Sequence, residues 1–374
     1  MIVEMGTNTT RKRRLVLSAI ALVVIASIAV GFYSLRDVLA DRLSFIYFGR
    51  GTQLSKQGAD NLEENLKSDP NSFADRIELL AFYSFKITGD GLTPEELANR
   101  REHILWVIAH QPASTFAADH AAAFDPYGRD PEGLQQGEKL WLQQLQTKPT
   151  DTRFVYNAGR FFAWVDDWKQ SEELLERAYA MKPENHDIAS FLAGLYWRDA
   201  RHSSTSEQVT SMAAKSFKVF GRALNDTHDP RERLNDLPDA AQAAFEAGEY
   251  EQAAAYSKEV LSLAEQPEHA DNNADAIHYG DIVLGRIALR HGDVTAASAY
   301  LLKAAKIKGN PHLDTFGPNM MLAKELFEKG ERKSVLEYFD LCGKFWADDE
   351  KKLDQWRSAV TSGSGPNFGP NLQY

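Results

Sequence analysis

Two apolar rhythms divide the chain. Leu15 to Leu35 (LVLSAIALVVIASIAVGFYSL) runs 21 positions without a charge, whereas beyond residue 57 apolar positions recur every three to four residues between Glu, Lys, Gln and Asp. At about 1.5 Å per residue the first run matches the roughly 30 Å hydrocarbon core of a bilayer, which predicts a transmembrane helix. The second rhythm is that of amphipathic helices packed on one another. Few alternating β-branched runs interrupt it, so an all-α body is predicted.

The charges flanking the first run set an expected orientation. Arg11-Lys12-Arg13-Arg14 precede it, whereas Arg36 and Arg42 on the other side are offset by Asp37 and Asp41. The positive-inside bias then predicts a cytoplasmic N-terminus on a single-pass protein of the inner (cytoplasmic) membrane, with the main domain periplasmic or extracytoplasmic. A cleaved signal peptide is the competing reading, with Val38-Leu39-Ala40 as its cut site.

Within the body a phrase of about 34 residues repeats. Its clearest copy spans 152–185, with Ala158-Gly159 and Phe162 on one helix, Asp166-Asp167-Trp168 in a turn, then Leu175, Ala178 and the stop Pro183. A second copy carries Leu284-Gly285, Ile287-Ala288, Gly292-Asp293, Ala297, Leu301 and Ala304. A third has Leu322-Ala323, Leu326, Gly330, Val335, Phe339 and Cys342. Two looser copies lie at 186–230 (Leu192-Ala193, Tyr196, Phe220, Ala223) and 234–267 (Gly248-Glu249-Tyr250, Ala253). Gly or Ala on the first helix admits the second closely, Gly-Asp makes the turn and Pro ends the second helix.

This phrase resembles the tetratricopeptide repeat (TPR) family, which places small and large apolar residues at these offsets. The resemblance implies a right-handed superhelix of antiparallel helix pairs over 150–346. Upstream, Leu62, Leu66 and Pro70, Trp106 and Pro112, and Trp141 and Pro149 read as divergent helical repeats over 58–149. The expected organisation is completed by a basic tail (1–14), the span (15–35), a juxtamembrane linker (36–57), a capping helix (347–361) and a flexible tail (362–374).

Composition narrows the function. Lys and Arg number 42 against 53 Asp and Glu, a net charge of −11. Without residues 1–14 the counts are 38 and 52, or −14, which argues against nucleic acid as a partner. The single cysteine, Cys342, excludes an intrachain disulfide and a CxxC metal site. No HExxH, GxSxG, Walker or dinucleotide-binding motif occurs, so no catalytic residue, metal site or cofactor is expected.

Three constellations have structural readings. Asp166 and Asp167 fall in an inter-helix turn, where acidic residues cap the following helix. Thr93-Pro94-Glu95-Glu96 has the order of a capping box. His269, Asp271, Asp275, His278 and Asp281 lack any metal-binding spacing and read as a polar inter-repeat loop. Gly-Pro-Asn occurs three times, at 317–319, 365–367 and 369–371.

In the TPR family the first helix of each pair lines a concave groove. The resemblance places Tyr156, Arg160, Trp164, Trp197, Arg198, Arg286, Arg290 and Lys324 on it, a basic and aromatic stripe suited to an acidic or C-terminal peptide. The function expected is a membrane-anchored protein–protein interaction scaffold or adaptor of the cell envelope, with lipid contact through residues 15–35. The alternatives are an α/α helical-hairpin envelope hydrolase acting on polysaccharide with carboxylates near Trp164 and Trp168, or a packing subunit of a large membrane complex.

Overall fold

The computed structural model describes residues 43–89, 91–124, 128–266, 273–347 and 351–373, and among these the regular elements are all helical. After a helical stretch at 43–51 come α1 (Lys56–Ser68), α2 (Phe73–Thr88), α3 (Pro94–His110), α4 (Pro131–Thr147), α5 (Thr152–Trp164) and α6 (Trp168–Met181). Then follow α7 (His186–His202), α8 (Ser206–Asp226), α9 (Pro230–Glu246), α10 (Tyr250–Ala264), α11 (Ala274–Arg290) and α12 (Val294–Ala304). The last four are α13 (Pro311–Phe316), α14 (Met321–Glu328), α15 (Arg332–Cys342) and α16 (Lys352–Ser362). The chain divides into two units, through Arg177 and from Ala178.

The membrane placement expected above is overturned. Among the described residues no helix is long and apolar enough to cross a membrane. The 21-residue α8 would have the length, but it carries Glu207, Lys215, Lys218, Arg222 and Asp226. Residues 1–14 and 15–35 lie outside the described residues, so the reading of a single-pass inner-membrane protein with a periplasmic body has no spanning helix behind it.

Local sequence explains where the helices begin. Ser55, Ser72, Thr93, Asp130, Asp151, Asn185, Thr205 and Asp229 each cap a helix by accepting a backbone N–H of its first turn. At Thr93 the capping box is complete: Thr93 Oγ1 accepts from Glu96 N (3.2 Å) and Glu96 Oε2 accepts from Thr93 N (2.9 Å). In the first unit, α1, α3 and α4 end at Asp69, Gln111 and Lys148, each directly before a proline that disfavours further helix. Among the described residues between Pro112 and Pro131 the regular elements are two short 3-10 turns, Thr115–Ala118 and His120–Ala122.

One turn geometry recurs in four hairpins. The helix C-terminus passes through a left-handed residue, Asp166 (φ 63°), Gly248 (86°), Gly292 (82°) or Gly330 (89°), into an acidic residue that begins the next helix. The following amide reaches back to the carbonyl five residues earlier, as in Asp167 N to Phe162 O, Glu249 N to Ala244 O, Asp293 N to Ala288 O and Glu331 N to Leu326 O. These are Schellman closures, which satisfy the orphan carbonyls of the first helix. Asp167 Oδ1 then accepts from Gln170 N. The small residues admit their neighbours closely: a Cβ on Gly159 would meet Leu175 Cγ of α6 at 2.9 Å, and one on Gly285 would meet Tyr300 Cβ of α12 at 3.1 Å and Leu322 Cδ2 of the next hairpin at 2.3 Å.

In the second unit the hairpins α7/α8, α9/α10, α11/α12 and α14/α15 follow one another, and their first helices neighbour in series: α7 on α9, α9 on α11, α11 on α14. Helix α16 closes the end by burying Leu353, Trp356 and Val360 against α15. The terminal residues depart from the flexible tail expected over 362–374. Phe368 is 2% exposed, with its ring edge-on to Trp356 at 5.0 Å, so the tail completes the core. Two Gly-Pro-Asn copies meet there: Asn371 Nδ2 donates to Phe316 O and Pro318 O (3.1 Å each), and Asn371 O accepts from Met320 N at 2.8 Å.

Candidate functional site

The row of first helices in the second unit encloses a cavity of about 630 Å³. Helix α7 supplies Trp197 and Arg201, α9 supplies Gln242, Phe245 and Glu246, and α11 supplies Arg286 and Arg290. Tyr250 opens α10, and Gln373 of the tail stands at the margin. The i, i+4 spacing of Trp197 with Arg201 and of Arg286 with Arg290 puts each pair on one helix face.

The two arginines of α11 do different work. Arg286 is buried, with its guanidinium 4.1 Å from the Phe245 ring centroid. Its Nη1 donates to Glu246 Oε1 at 2.7 Å, while Nε and Nη2 donate to Glu325 Oε1 at 3.0 and 2.8 Å. Burial pulls its pKa down, and the two carboxylates more than reverse that, leaving it above the ordinary arginine value. Arg286 is therefore a pinned cation, and its expected role as a groove contact gives way to a structural one. Arg290 is exposed and lies 5.6 Å from both the Phe245 and Tyr250 ring centroids, with no carboxylate at ion-pair distance among the described residues. Arg201 lies 5.7 Å from the Trp197 ring centroid and donates Nη1 to Gln373 O at 3.1 Å.

The expected stripe is thus only partly assembled. Trp197, Arg286 and Arg290 line the cavity, whereas Arg198 pairs with Asp199 at 3.0 Å and Lys324 is exposed on α14, neither of them in its walls. Tyr156, Arg160 and Trp164 belong to the first unit. There the Arg160 guanidinium lies 5.7 Å from the Tyr156 ring centroid, and the Trp164 indole N–H donates to Ala118 O at 3.0 Å, tying α5 to the 3-10 turn. Arg201, Phe245, Glu246, Tyr250 and Glu325 were not foreseen. Arg201 was signalled by its spacing from Trp197, but the glutamates pair with Arg286 across 40 and 39 residues, beyond the reach of local pattern.

The first unit has a cavity of its own, about 820 Å³, bordered by α1, α2 and α3. A chain of polar groups forms its wall: Arg76 Nη1 bonds His103 Nδ1 at 2.8 Å, His103 Nε2 meets Glu63 Oε1 at 3.1 Å, and the Tyr83 hydroxyl donates to Glu63 Oε1 at 2.5 Å. A guanidinium can only donate, so His103 Nδ1 accepts from Arg76 and its Nε2–H donates to Glu63. Burial pushes Glu63 up, and the hydrogen bonds from His103 and Tyr83 carry it below the usual carboxylate value.

Other candidates resolve locally. Asp166 is the exposed left-handed turn residue and Asp167 caps α6, and neither lines either cavity. His269 and Asp271 lie outside the described residues. Asp275 meets His312 at 3.0 Å and Asn310 at 2.7 Å, and Asp281 meets Lys303 at 3.2 Å. His278, fully buried, accepts from Asn319 N at Nε2 (3.0 Å) and donates from Nδ1 to Ala304 O (3.0 Å). Each of these three has a different partner, so they form no common site.

No family model matches the chain, and no curated protein matches it. Among solved structures it is similar to human IFIT1, in the structure of that protein's dimer with m7Gppp-AAAA, at 18% identity and a TM-score of 0.44. The likeness covers 82% of this chain and 66% of that one, just under two thirds of its length.

Proposed function

We propose that the protein is a non-catalytic helical-repeat scaffold whose second unit, a TPR-like array, holds an extended peptide through an acidic side chain or a free carboxyl end. The observation that carries this reading is Arg290, an exposed cation stacked against two aromatic rings beside a cavity and lacking a carboxylate partner in the described chain. A ligand carboxylate meeting it would gain a charge-assisted bidentate hydrogen bond, and Trp197, Phe245 and Tyr250 would cover an apolar neighbour. Arg286, already neutralised by two glutamates, would keep the wall rigid. The net charge of −11 favours a peptide over nucleic acid, whose binding rests on neutralising many phosphates.

The test is selection of displayed peptides with free carboxyl ends on the purified protein, followed by affinity measurement on Arg290→Ala. Enriched peptides should end in, or contain, a carboxylate beside an apolar residue and bind Arg290→Ala at least tenfold more weakly. Equal affinity for the two proteins would refute the reading.

A further inference from the structure

The cluster where α7 and α9 begin has a geometry that hydrogen bonding does not explain. His186 opens α7 and Glu232 lies in the first turn of α9. The imidazole Nε2 meets Asp236 Oδ2 at 3.0 Å, and Asp236, 5% exposed, is itself held by the Ser190 hydroxyl at 2.6 Å. A carboxylate can only accept, so Nε2 carries the proton in that bond and the lone pair of the neutral ring resides on Nδ1. Nδ1 is buried and has no hydrogen-bond partner.

That lone pair faces two carboxylates. Nδ1 is 3.5 Å from Glu232 Oε2 and 3.7 Å from Asp187 Oδ1, and the three donor atoms all lie within 4.8 Å of one another. These separations are too long for N–H···O hydrogen bonds. They are close to the edge length of a metal tetrahedron, about 3.3–3.6 Å for bonds of about 2.0–2.2 Å to nitrogen and oxygen, and a rotation of the exposed Asp187 side chain would close the remaining edge. The surroundings complete the pattern of a bound cation. Metal-ligating histidines donate their second N–H to a carboxylate, which fixes tautomer and ring orientation, and Asp236 is so placed. The Thr227 hydroxyl donates to the same Glu232 Oε2 and steadies it.

We infer that His186, Asp187 and Glu232 form a divalent-metal site of the zinc class, with one imidazole nitrogen and two carboxylate oxygens leaving a fourth position for water or a partner's ligand. The ion would join the starts of α7 and α9, successive first helices of the second unit. The site is independent of Arg290 and the cavity beside it, so it stands or falls apart from the peptide-binding reading.

The test titrates zinc chloride into chelator-stripped full-length protein by calorimetry, with cobalt(II) absorption reporting geometry. One ion per chain is expected, with cobalt bands of tetrahedral intensity and a rise in the unfolding temperature on zinc addition. His186→Ala should abolish this binding. Glu232→Gln, a change at a half-exposed position, should weaken it at least tenfold, and Asp236→Asn should weaken it 10- to 100-fold through the lost orientation of the ring. Should His186→Ala fail to fold, Glu232→Gln decides alone. Absence of stoichiometric binding by the wild type, or zinc affinity unchanged in Glu232→Gln, would overturn the assignment.

Discussion

Substituting Arg286 and Arg290 separately tests whether the two arginines of α11 have been given the right roles. Methionine at 286 would keep most of the side-chain bulk against Phe245 but remove the cation between Glu246 and Glu325. Breaking a buried ion pair by deleting one partner costs about 3–5 kcal/mol, because the remaining charge is stranded. Here the stranded carboxylates are partly hydrated, with side-chain exposures of 23% and 26%, which lowers the cost to roughly 2–3 kcal/mol. Loss of the guanidinium stacked 4.1 Å from the Phe245 centroid adds about 1 kcal/mol. Methionine at the exposed Arg290 should cost no more than about 0.5 kcal/mol. Urea unfolding followed by helical circular dichroism, with equal m-values as the check on comparability, gives both numbers. Near-equal stability of the two variants, or an Arg286→Met within about 0.5 kcal/mol of wild type, would refute the assignment of Arg286 as a pinned structural cation.

Three further outcomes follow from the turns, the tail and the buried histidine. Asp166 holds the left-handed position that glycine holds in three sister turns, so Asp166→Gly should stabilise by about 1 kcal/mol in thermal unfolding, and a destabilised variant would contradict the shared geometry. Phe368→Ala should cost about 3–5 kcal/mol by emptying the space between Phe339 and Trp356, whereas a free tail would tolerate it unchanged. Burial lowers the His278 pKa to about 4, against the opposing field of Asp275 and together with His312, so its share of stability is present above pH 6.5 and is lost as pH falls toward 4. Burial raises Asp281 to about 6 despite Lys303, with Glu265 adding to the rise, so its share runs the other way and stability is gained as pH falls through 6 toward 4. The two effects offset, and Asp281→Asn should expose the histidine, losing on the order of 3 kcal/mol relative to wild type between pH 7 and 4; parallel pH profiles of the two proteins would contradict this.

What could be read from sequence was what repeats and what is local. Gly159 and Gly285 announced close helix approach, Thr93-Pro94-Glu95-Glu96 announced its capping box, and the prolines at 70, 112 and 149 marked helix ends, because each acts within a few residues or recurs at a fixed beat. Pairings set by the way hairpins stack were not legible. Glu246 and Glu325 converge on Arg286 from separate hairpins, and His186 meets Asp236 fifty residues away. The tail was misread because its Gly, Pro, Asn and Ser composition resembles a loose end, while the anchoring comes from one aromatic, Phe368, and from Asn371 against its sister motif. The stripe inferred from the repeat register treated every exposed inner position alike, and packing divided it into a pinned cation, an ion-paired Arg198, an indole tied to Ala118, and Arg290.

The most direct measurement of the central claim is a double-mutant cycle between Arg290 and the carboxyl group of a selected peptide, combining wild type and Arg290→Gln with the free-acid and amidated forms. A carboxylate seated on Arg290 predicts that amidation weakens wild-type binding at least tenfold and leaves the Arg290→Gln affinity nearly unchanged, a coupling of about 1.4 kcal/mol or more. Independent, additive effects of the two changes would contradict the account.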